Sequence, residues 1–256
     1  MSIELARVLA DFERHGPTDV AYLRLHFGRF MATKEIFESS WGARRGRVLD
    51  IGAHWLHQSY LYASDGYEVT AADVPSTIEI DAVRRLASAS GIRLLAYEDL
   101  ANGRAFTQLD DDSFDLILFT EIIEHLAFNP LSLWREVHRI LRPGGRIVLT
   151  TPNYLALRSM LRRWGRQLAR PSGGLSVEQI IGTPTHGHHW KEYTLAELRA
   201  YFSLLSPDFM MHKGLHVRDY YRSPSWSARV ARMVEEVVPV LRPNLHVEIE
   251  LAEGRS

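Results

Sequence analysis

The chain contains no cysteine in 256 residues. That absence excludes disulfide scaffolds, thiolate zinc sites, iron–sulfur clusters and cysteine nucleophiles, and it fits a reducing, cytoplasmic location. No apolar run reaches the roughly 18 residues that would read as a transmembrane helix. The N-terminal stretch from Met1 to Gly16 carries acids and lacks an uninterrupted apolar core, so it does not read as a secretory signal. No internal repeat and no low-complexity tract is visible. A charge excess is also missing: 30 Lys and Arg face 31 Asp and Glu, which gives no global pull toward nucleic acid or an anionic membrane. What remains, 46% hydrophobic and 24% charged, is the composition of an ordinary globular protein long enough to bury a core without staples.

What is there is an alternation of short apolar runs and helical stretches. Arg47 to Gly52 reads as a buried strand ending in a glycine turn. His57 to Ser64 suits a short helix and Tyr67 to Asp73 a second strand ending on an acid. Ser76 to Ser90 suits a helix, with Ser76 as N-cap and Gly91 just past its end. Ile92 to Tyr97 and Phe114 to Thr120 are further strands. Leu131 to Leu141 is helical, stopped by Pro143-Gly144-Gly145, and Arg146 to Thr151 is a fifth strand. Such alternation predicts a parallel sheet covered on both faces.

The flanks differ from this core. Ser2 to Ser40 reads as two helices, broken at His15-Gly16-Pro17 and capping the carboxyl end of the first strand. Tyr154 to Arg170 is a basic amphipathic helix, and Pro171 to Thr185 a Gly/Ser/Pro-rich loop. Leu195 to Leu205 is a helix with Thr194 as cap and Glu197 completing a capping box. Phe209 to Val217 and Leu245 to Leu251 are late strands separated by a helix from Ser227 to Val238. The expected division is therefore a helical cap (1–45), a core (46–153), an inserted lid (154–190) and a C-terminal part of the sheet (191–256), all in one domain.

The chemistry starts at Asp50-Ile51-Gly52. A strand ending in glycine lets a ligand approach the backbone closely. Asp73 closes the next strand, spaced to accept both hydroxyls of a ribose. Alternatively, the two acids merely cap helices. Two later stretches, Ser113 to Leu126 with its Glu124-His125 step and Leu141 to Asn153 with its Leu-Arg-Pro-Gly-Gly turn, resemble the class I S-adenosylmethionine-dependent methyltransferases. Trp190 to Leu198 is similar to that superfamily's segment before strand six. The likeness covers about residues 45 to 215. It implies a Rossmann-like, doubly wound, mostly parallel α/β sheet of seven strands in the order 3-2-1-4-5-7-6, with strand seven antiparallel. The family loop runs D-x-G-x-G-x-G, whereas here His54 and Leu56 stand at the second and third glycine positions.

Carried over by position, the resemblance implies S-adenosyl-L-methionine as cofactor. Asp50, Gly52, Ala53 and His54 would lie near its methionine part and Asp73 at the ribose hydroxyls. Val74 would face the adenine, Asp99 the adenine amino group, with Glu98 as a rival, and Leu100 the ring. Thr120 and Glu121 would line the floor beneath the sulfonium. His125, His186 and His189 are candidate catalytic residues, as a general base or as a cap on the substrate pocket. Glu121, Glu124, His125 and His189 also suit a divalent ion, an arrangement similar to that of small-RNA 2′-O-methyltransferases and ubiquinone-pathway O-methyltransferases. The expectation is nonetheless no metal, because mixed nitrogen and oxygen donors are permissive.

The helix from Ala156 to Arg170 has five Arg and no acid, with Arg158, Arg162 and Arg166 on one face. It is a solvated face over a packed stripe, or a docking element for phosphates or an anionic lipid surface. The functional expectation is O- or C-methylation of a small-molecule, sugar-containing or lipid-linked acceptor, without nucleic acid. The alternatives are a methyltransferase-fold binding protein without turnover and a metal-dependent RNA 2′-O-methyltransferase.

Overall fold

The computed structural model describes residues 3–16, 19–42, 44–161, 164, 188–218 and 225–253. Two helices come first, α1 (Ile3–Arg14) and α2 (Val20–Trp41), with the Asp19 carboxylate accepting the Tyr22 amide at 2.9 Å to start the second. The elements β1 (Arg47–Ile51), α3 (His57–Ser64), β2 (Glu68–Asp73), α4 (Pro75–Ile78), α5 (Asp81–Ser90), β3 (Arg93–Ala96) and β4 (Phe114–Thr120) follow. After a 3₁₀ turn at Ile123–His125 come α6 (Leu131–Ile140), β5 (Leu141–Pro152), α7 (Leu195–Leu205), β6 (Phe209–Val217), α8 (Trp226–Val237) and β7 (Asn244–Leu251). The seven strands form one sheet in the order β3-β2-β1-β4-β5-β7-β6, with β7 antiparallel to both neighbours, as expected.

Period-two alternation builds two cores, one on each face. On β1, β4 and β5, Leu49, Ile51, Ile117, Phe119, Ile147 and Leu149 point to the side covered by α6 and α7. Val48, Leu116, Leu118 and Val148 point to the side covered by α1, α2, α3 and α5. The capping box is present, with Thr194 Oγ1 accepting from the Glu197 amide at 3.1 Å and Glu197 Oε2 from the Thr194 amide at 2.9 Å.

Three expectations need correction. The helix from Ser76 to Ser90 is broken: Ile80 is extended (φ −64°, ψ 125°), and Val74, not Ser76, precedes the first turn because Pro75 occupies its N1 position. The fifth strand begins at Leu141, and Pro143-Gly144-Gly145 is an excursion within it. Leu141 pairs with Phe114 and Arg146 with Leu116, leaving Asp115 to bind Arg142 Nε and the Arg47 amide, each at 2.6 Å. The helix expected from Tyr154 starts at Leu157, because Asn153 Oδ1 takes the Leu155 amide at 3.0 Å in a turn. Of that helix, 157–161 and 164 are described and helical; Arg162, Arg166, the 171–185 loop and His186 lie outside the described residues.

The C-terminal end of α2 is pinned to the far strands. Ser40 Oγ donates to Glu248 Oε2 at 2.9 Å, Arg146 bridges both, and Lys213 Nζ donates to the Ile36 carbonyl at 3.0 Å. Burial alone would raise the Glu248 pKa, but hydrogen bonds from His246, Lys213 and Ser40 hold it down at about 2.

Candidate active site

The carboxyl ends of β1, β2 and β4, roofed by α2, enclose a cavity of about 1040 Å³. This is the edge at which doubly wound sheets place ligands. All ten expected cofactor positions line it: Asp50, Gly52, Ala53, His54, Asp73, Val74, Asp99, Leu100, Thr120 and Glu121.

The turn after β1 keeps the first of the three expected glycines, Gly52. Gly52, His54 and Leu56 take φ of +74°, +49° and +65°, so two side-chain-bearing residues hold the left-handed conformation that glycine adopts at no cost. Leu56 turns its side chain fully into the core. His54 stays exposed at the cavity wall, edge-on to the Tyr22 ring at 5.8 Å. At Gly52 a Cβ would lie 2.3 Å from Ile122 Cδ1, so that side chain would have to move aside.

Main-chain groups fix the two acids. Asp73 Oδ2 accepts the His54 amide and Oδ1 the Val74 amide, both at 2.7 Å. The buried Asp50 accepts the Ser59 hydroxyl at 2.6 Å; burial, with Asp73 beside it, pushes its pKa up to about 7 against the pull of Ser59. Around the expected adenine end stand Tyr97, Glu98, Asp99 and Leu100; Asp99 Oδ1 is engaged by the Ala101 amide at 2.8 Å.

The floor is assembled differently. Glu121 has φ +56°; its Oε1 accepts the Thr150 hydroxyl at 2.8 Å and its Oε2 pairs with Arg29 of α2 at 2.9 Å. Arg29 in turn donates to the Tyr22 hydroxyl at 3.0 Å. Glu124 is buried, accepts the Thr151 hydroxyl at 2.9 Å and, among the described residues, leaves Oε1 without a hydrogen bond. Burial, then Glu121, raises its pKa well above the carboxylate range. His125 lines the cavity with Nδ1 at 3.0 Å from the His188 carbonyl, which sets the Nδ1–H tautomer of the neutral ring and directs Nε2 toward Glu124 Oε1 at 3.9 Å.

Of the residues weighed for a metal, Glu124, His125 and His189 come together, their donor atoms all within 4.8 Å of one another. Glu121 stands apart from that group because Arg29 and Thr150 hold it. His189 packs edge-on to His125 at 4.9 Å but is not on the cavity wall. The residues the sequence reading missed include Tyr22, Arg29, Phe30 and Thr33 of α2, and His57, Tyr97, Phe128 and Thr150 elsewhere on the wall. No local motif marks the four from α2, where Arg29 is one of two arginines.

A family model described as a methyltransferase domain matches residues 22–203. The ubiquinone biosynthesis O-methyltransferase of Xanthomonas oryzae pv. oryzae (strain PXO99A) is 29% identical over 159 residues, 60% of this chain and 59% of that protein. The protein of the same description from Xanthomonas campestris pv. campestris (strain B100) is 33% identical over 150 residues, 57% of this chain and 56% of that one. The chain thus matches less than two thirds of the length of these relatives.

Among solved structures, the Burkholderia thailandensis 1,6-didemethyltoxoflavin-N1-methyltransferase, with 1,6-didemethyltoxoflavin and S-adenosylhomocysteine bound, superposes with a TM-score of 0.55 at 16% identity, over 98% of this chain and 91% of that one. The Haemonchus contortus phosphoethanolamine N-methyltransferase 2, in complex with S-adenosyl-L-methionine, does so with a TM-score of 0.55 at 14% identity, over 87% of this chain and 52% of that one. At such identities the likeness is one of fold. No helix among the described residues is long and apolar enough to cross a membrane. A family match across most of the chain, on a sheet of this order with its cavity at this edge, makes the protein a member of the class I S-adenosylmethionine-dependent methyltransferases.

Proposed function

We propose that this protein transfers a methyl group from S-adenosylmethionine to a hydroxyl oxygen of a small acceptor. The observation that carries the reading is one cavity with two chemically distinct ends: Asp50 and Asp73 at the strand ends beside a left-handed turn, and His125 across the floor. Asp73 would hold the ribose hydroxyls, Val74 and Leu100 the adenine, and Asp50 and Gly52 the methionine part. When bound, the cofactor supplies a methyl group on a sulfonium, already an excellent leaving group. The protein's work is then to align the acceptor and take its proton. His125, with Nδ1–H directed at the His188 carbonyl, has the tautomer a base needs at Nε2.

Oxygen as the acceptor atom is supported by the description of the Xanthomonas relatives. A small acceptor is supported by the lining: among the described residues, Asp50, Asp73, Glu98, Asp99 and Glu121 oppose a single Arg, itself paired with Glu121. Such a cavity repels a phosphodiester chain, which weighs against RNA. The burial of Leu56 weighs against a lost site, because the substitution does not fill the cavity.

The test is methyl transfer from labelled S-adenosylmethionine to a panel of phenols and aliphatic alcohols, with amines as controls. A His125→Gln variant should bind S-adenosylhomocysteine normally and lose about 10²- to 10⁴-fold in kcat. Transfer to amines alone, or full turnover in the variant, would overturn the reading.

A further inference from the structure

Among the described residues, four other than glycine take a positive φ: His54, Leu56, Asp112 and Glu121. Three of them show what holds them there. Leu56 is fully buried in the core, Glu121 is bound by Thr150 and Arg29, and the Asp112 amide donates to the Arg139 carbonyl at 3.0 Å. His54 is different. Asp73 holds its amide, but its ring is exposed at the cavity wall, and among the described residues no group hydrogen-bonds the ring nitrogens. The ring has only other rings beside it: Tyr22, Trp55 and His57, with centroids 5.8, 5.7 and 6.2 Å away. A side chain kept in a conformation that favours glycine, with its ring neither buried nor hydrogen-bonded, is an outlier that points to function.

The order of the strands says which part of the cofactor His54 meets. Asp73 ends β2; Tyr97 to Leu100 follow β3 on one side of it, and His54 and Glu121 follow β1 and β4 on the other. With the ribose on Asp73 and the adenine against Val74 and Leu100, as proposed above, the amino-acid end of the cofactor runs under the turn toward β4. That end carries an ammonium and a carboxylate. Asp50 and Glu121 on this part of the wall suit the ammonium.

The carboxylate needs N–H donors, and most of those nearby are engaged. Gly52 and Ala53 donate their amides to the Ala72 carbonyl at 2.8 and 3.2 Å, and His54 donates its own to Asp73. Among the described residues the wall has five nitrogen-bearing side chains: Arg29, His54, His57, Gln58 and His125. Arg29 is bound to Glu121 and Tyr22, Gln58 Nε2 donates to the Phe30 carbonyl at 3.2 Å, and His125 has its Nδ1 at the His188 carbonyl. His57 is stacked among the rings of Phe12, Tyr22 and Phe30, where burial, with His54 beside it, holds its pKa down at about 3. His54 is left. Burial lowers its pKa against the pull of Asp73 and Asp19, so near pH 7 it offers a neutral ring with one N–H.

We propose that His54 is a specificity residue for the cofactor: its ring N–H binds the carboxylate of the amino-acid end, so the turn selects S-adenosylmethionine and S-adenosylhomocysteine over analogues that lack this group. The role rests on the cofactor placement proposed above and is independent of which acceptor atom receives the methyl group.

The test is calorimetry with S-adenosylhomocysteine and its decarboxylated analogue, which keeps the adenosine, the sulfur and the amine. Wild type is expected to bind S-adenosylhomocysteine about 10- to 100-fold more tightly, the range for a hydrogen bond to a charged group. His54→Gly should remove most of that preference by weakening S-adenosylhomocysteine alone. Glycine holds a φ of +49° without steric cost, so the Tm of this variant should not fall. His54→Asn keeps an N–H donor and tolerates the left-handed conformation, so it should restore part of the preference. Equal weakening of both ligands in His54→Gly would mean a merely structural turn and would overturn the role. So would loss of the preference in Arg29→Gln but not in His54→Gly, since the carboxylate would then sit on Arg29. If wild type fails to bind S-adenosylhomocysteine, the cofactor placement itself falls and the role with it. If wild type binds it and His54→Gly binds it equally well, the role alone falls.

Discussion

The two ends of the cavity are built by different means. At the β1–β2 end, a window of 25 residues from Asp50 to Val74 contains the turn, both acids and the amides that hold Asp73. At the floor, each group depends on a partner far along the chain: Glu121 on Arg29, Glu124 on Thr151, His125 on His188. The first end is a local device whose geometry follows from backbone conformation. The second exists only once α2, β4, β5 and the chain near His188 have come together. Perturbations should respect that division.

The largest effect is expected at the local end. Gly52→Ala combines a φ of +74° with a Cβ 2.3 Å from Ile122, and strain plus overpacking should cost about 2–4 kcal/mol of stability, measured by urea unfolding. A loss under 1 kcal/mol would show the turn to be compliant. Next, Asp73→Ala should weaken S-adenosylhomocysteine binding by about 1.5–3 kcal/mol in calorimetry, the value of hydrogen bonds to a charged acceptor. Acceptor KM in that variant should hold; a matching rise would mean the two ends are not separate.

Arg29→Gln addresses the other end. The ion pair is about one fifth exposed on each side, so its loss lies between the surface and buried cases, about 1–2 kcal/mol by thermal unfolding. Acceptor KM should rise while cofactor affinity stays, the reverse of Asp73→Ala. The smallest effect near pH 5 is expected from Asp50→Asn, and its sign is the informative part. The folded pKa of Asp50, about 7, lies above its ordinary 3.8, so its contribution is fully present below about pH 4 and is lost as pH rises through 7. The Asn variant carries no such loss, so its stability relative to wild type should climb across that window. A flat difference would mean that Asp50 ionises normally.

The same division explains what was readable in the sequence. All seven strands, their order and the Thr194–Glu197 capping box followed from apolar periodicity, glycine and proline punctuation and family resemblance. The ten positions expected at the cofactor also share one cavity wall, because strand ends and the acids on them are local marks. The break at Ile80 and the early start of β5 were not legible: a proline at N1 and a register jump opposite Asp115 leave little trace in periodicity. The Arg29–Glu121 pair was hidden for a stronger reason, since nothing near either residue specifies the other. His54 and Leu56 stood out as departures, yet only the backbone reveals how they are accommodated, by left-handed φ with one side chain buried and the other at the wall.

The bonds that pin α2 also set a timetable for synthesis. Ser40 and its partner Glu248 are 208 residues apart, and Ile36 and Lys213 are 177 apart. The helix that roofs the cavity therefore leaves the ribosome long before β6 and β7, the strands that fasten its end. Until they arrive, Phe27, Phe30, Phe37 and Trp41 can already cover the face of β1, β2, β4 and β5, but the end of the helix lacks its anchors on β6 and β7. Contacts of such long range slow folding, so the end of the roof is fastened last, after every residue that lines the cavity has been made.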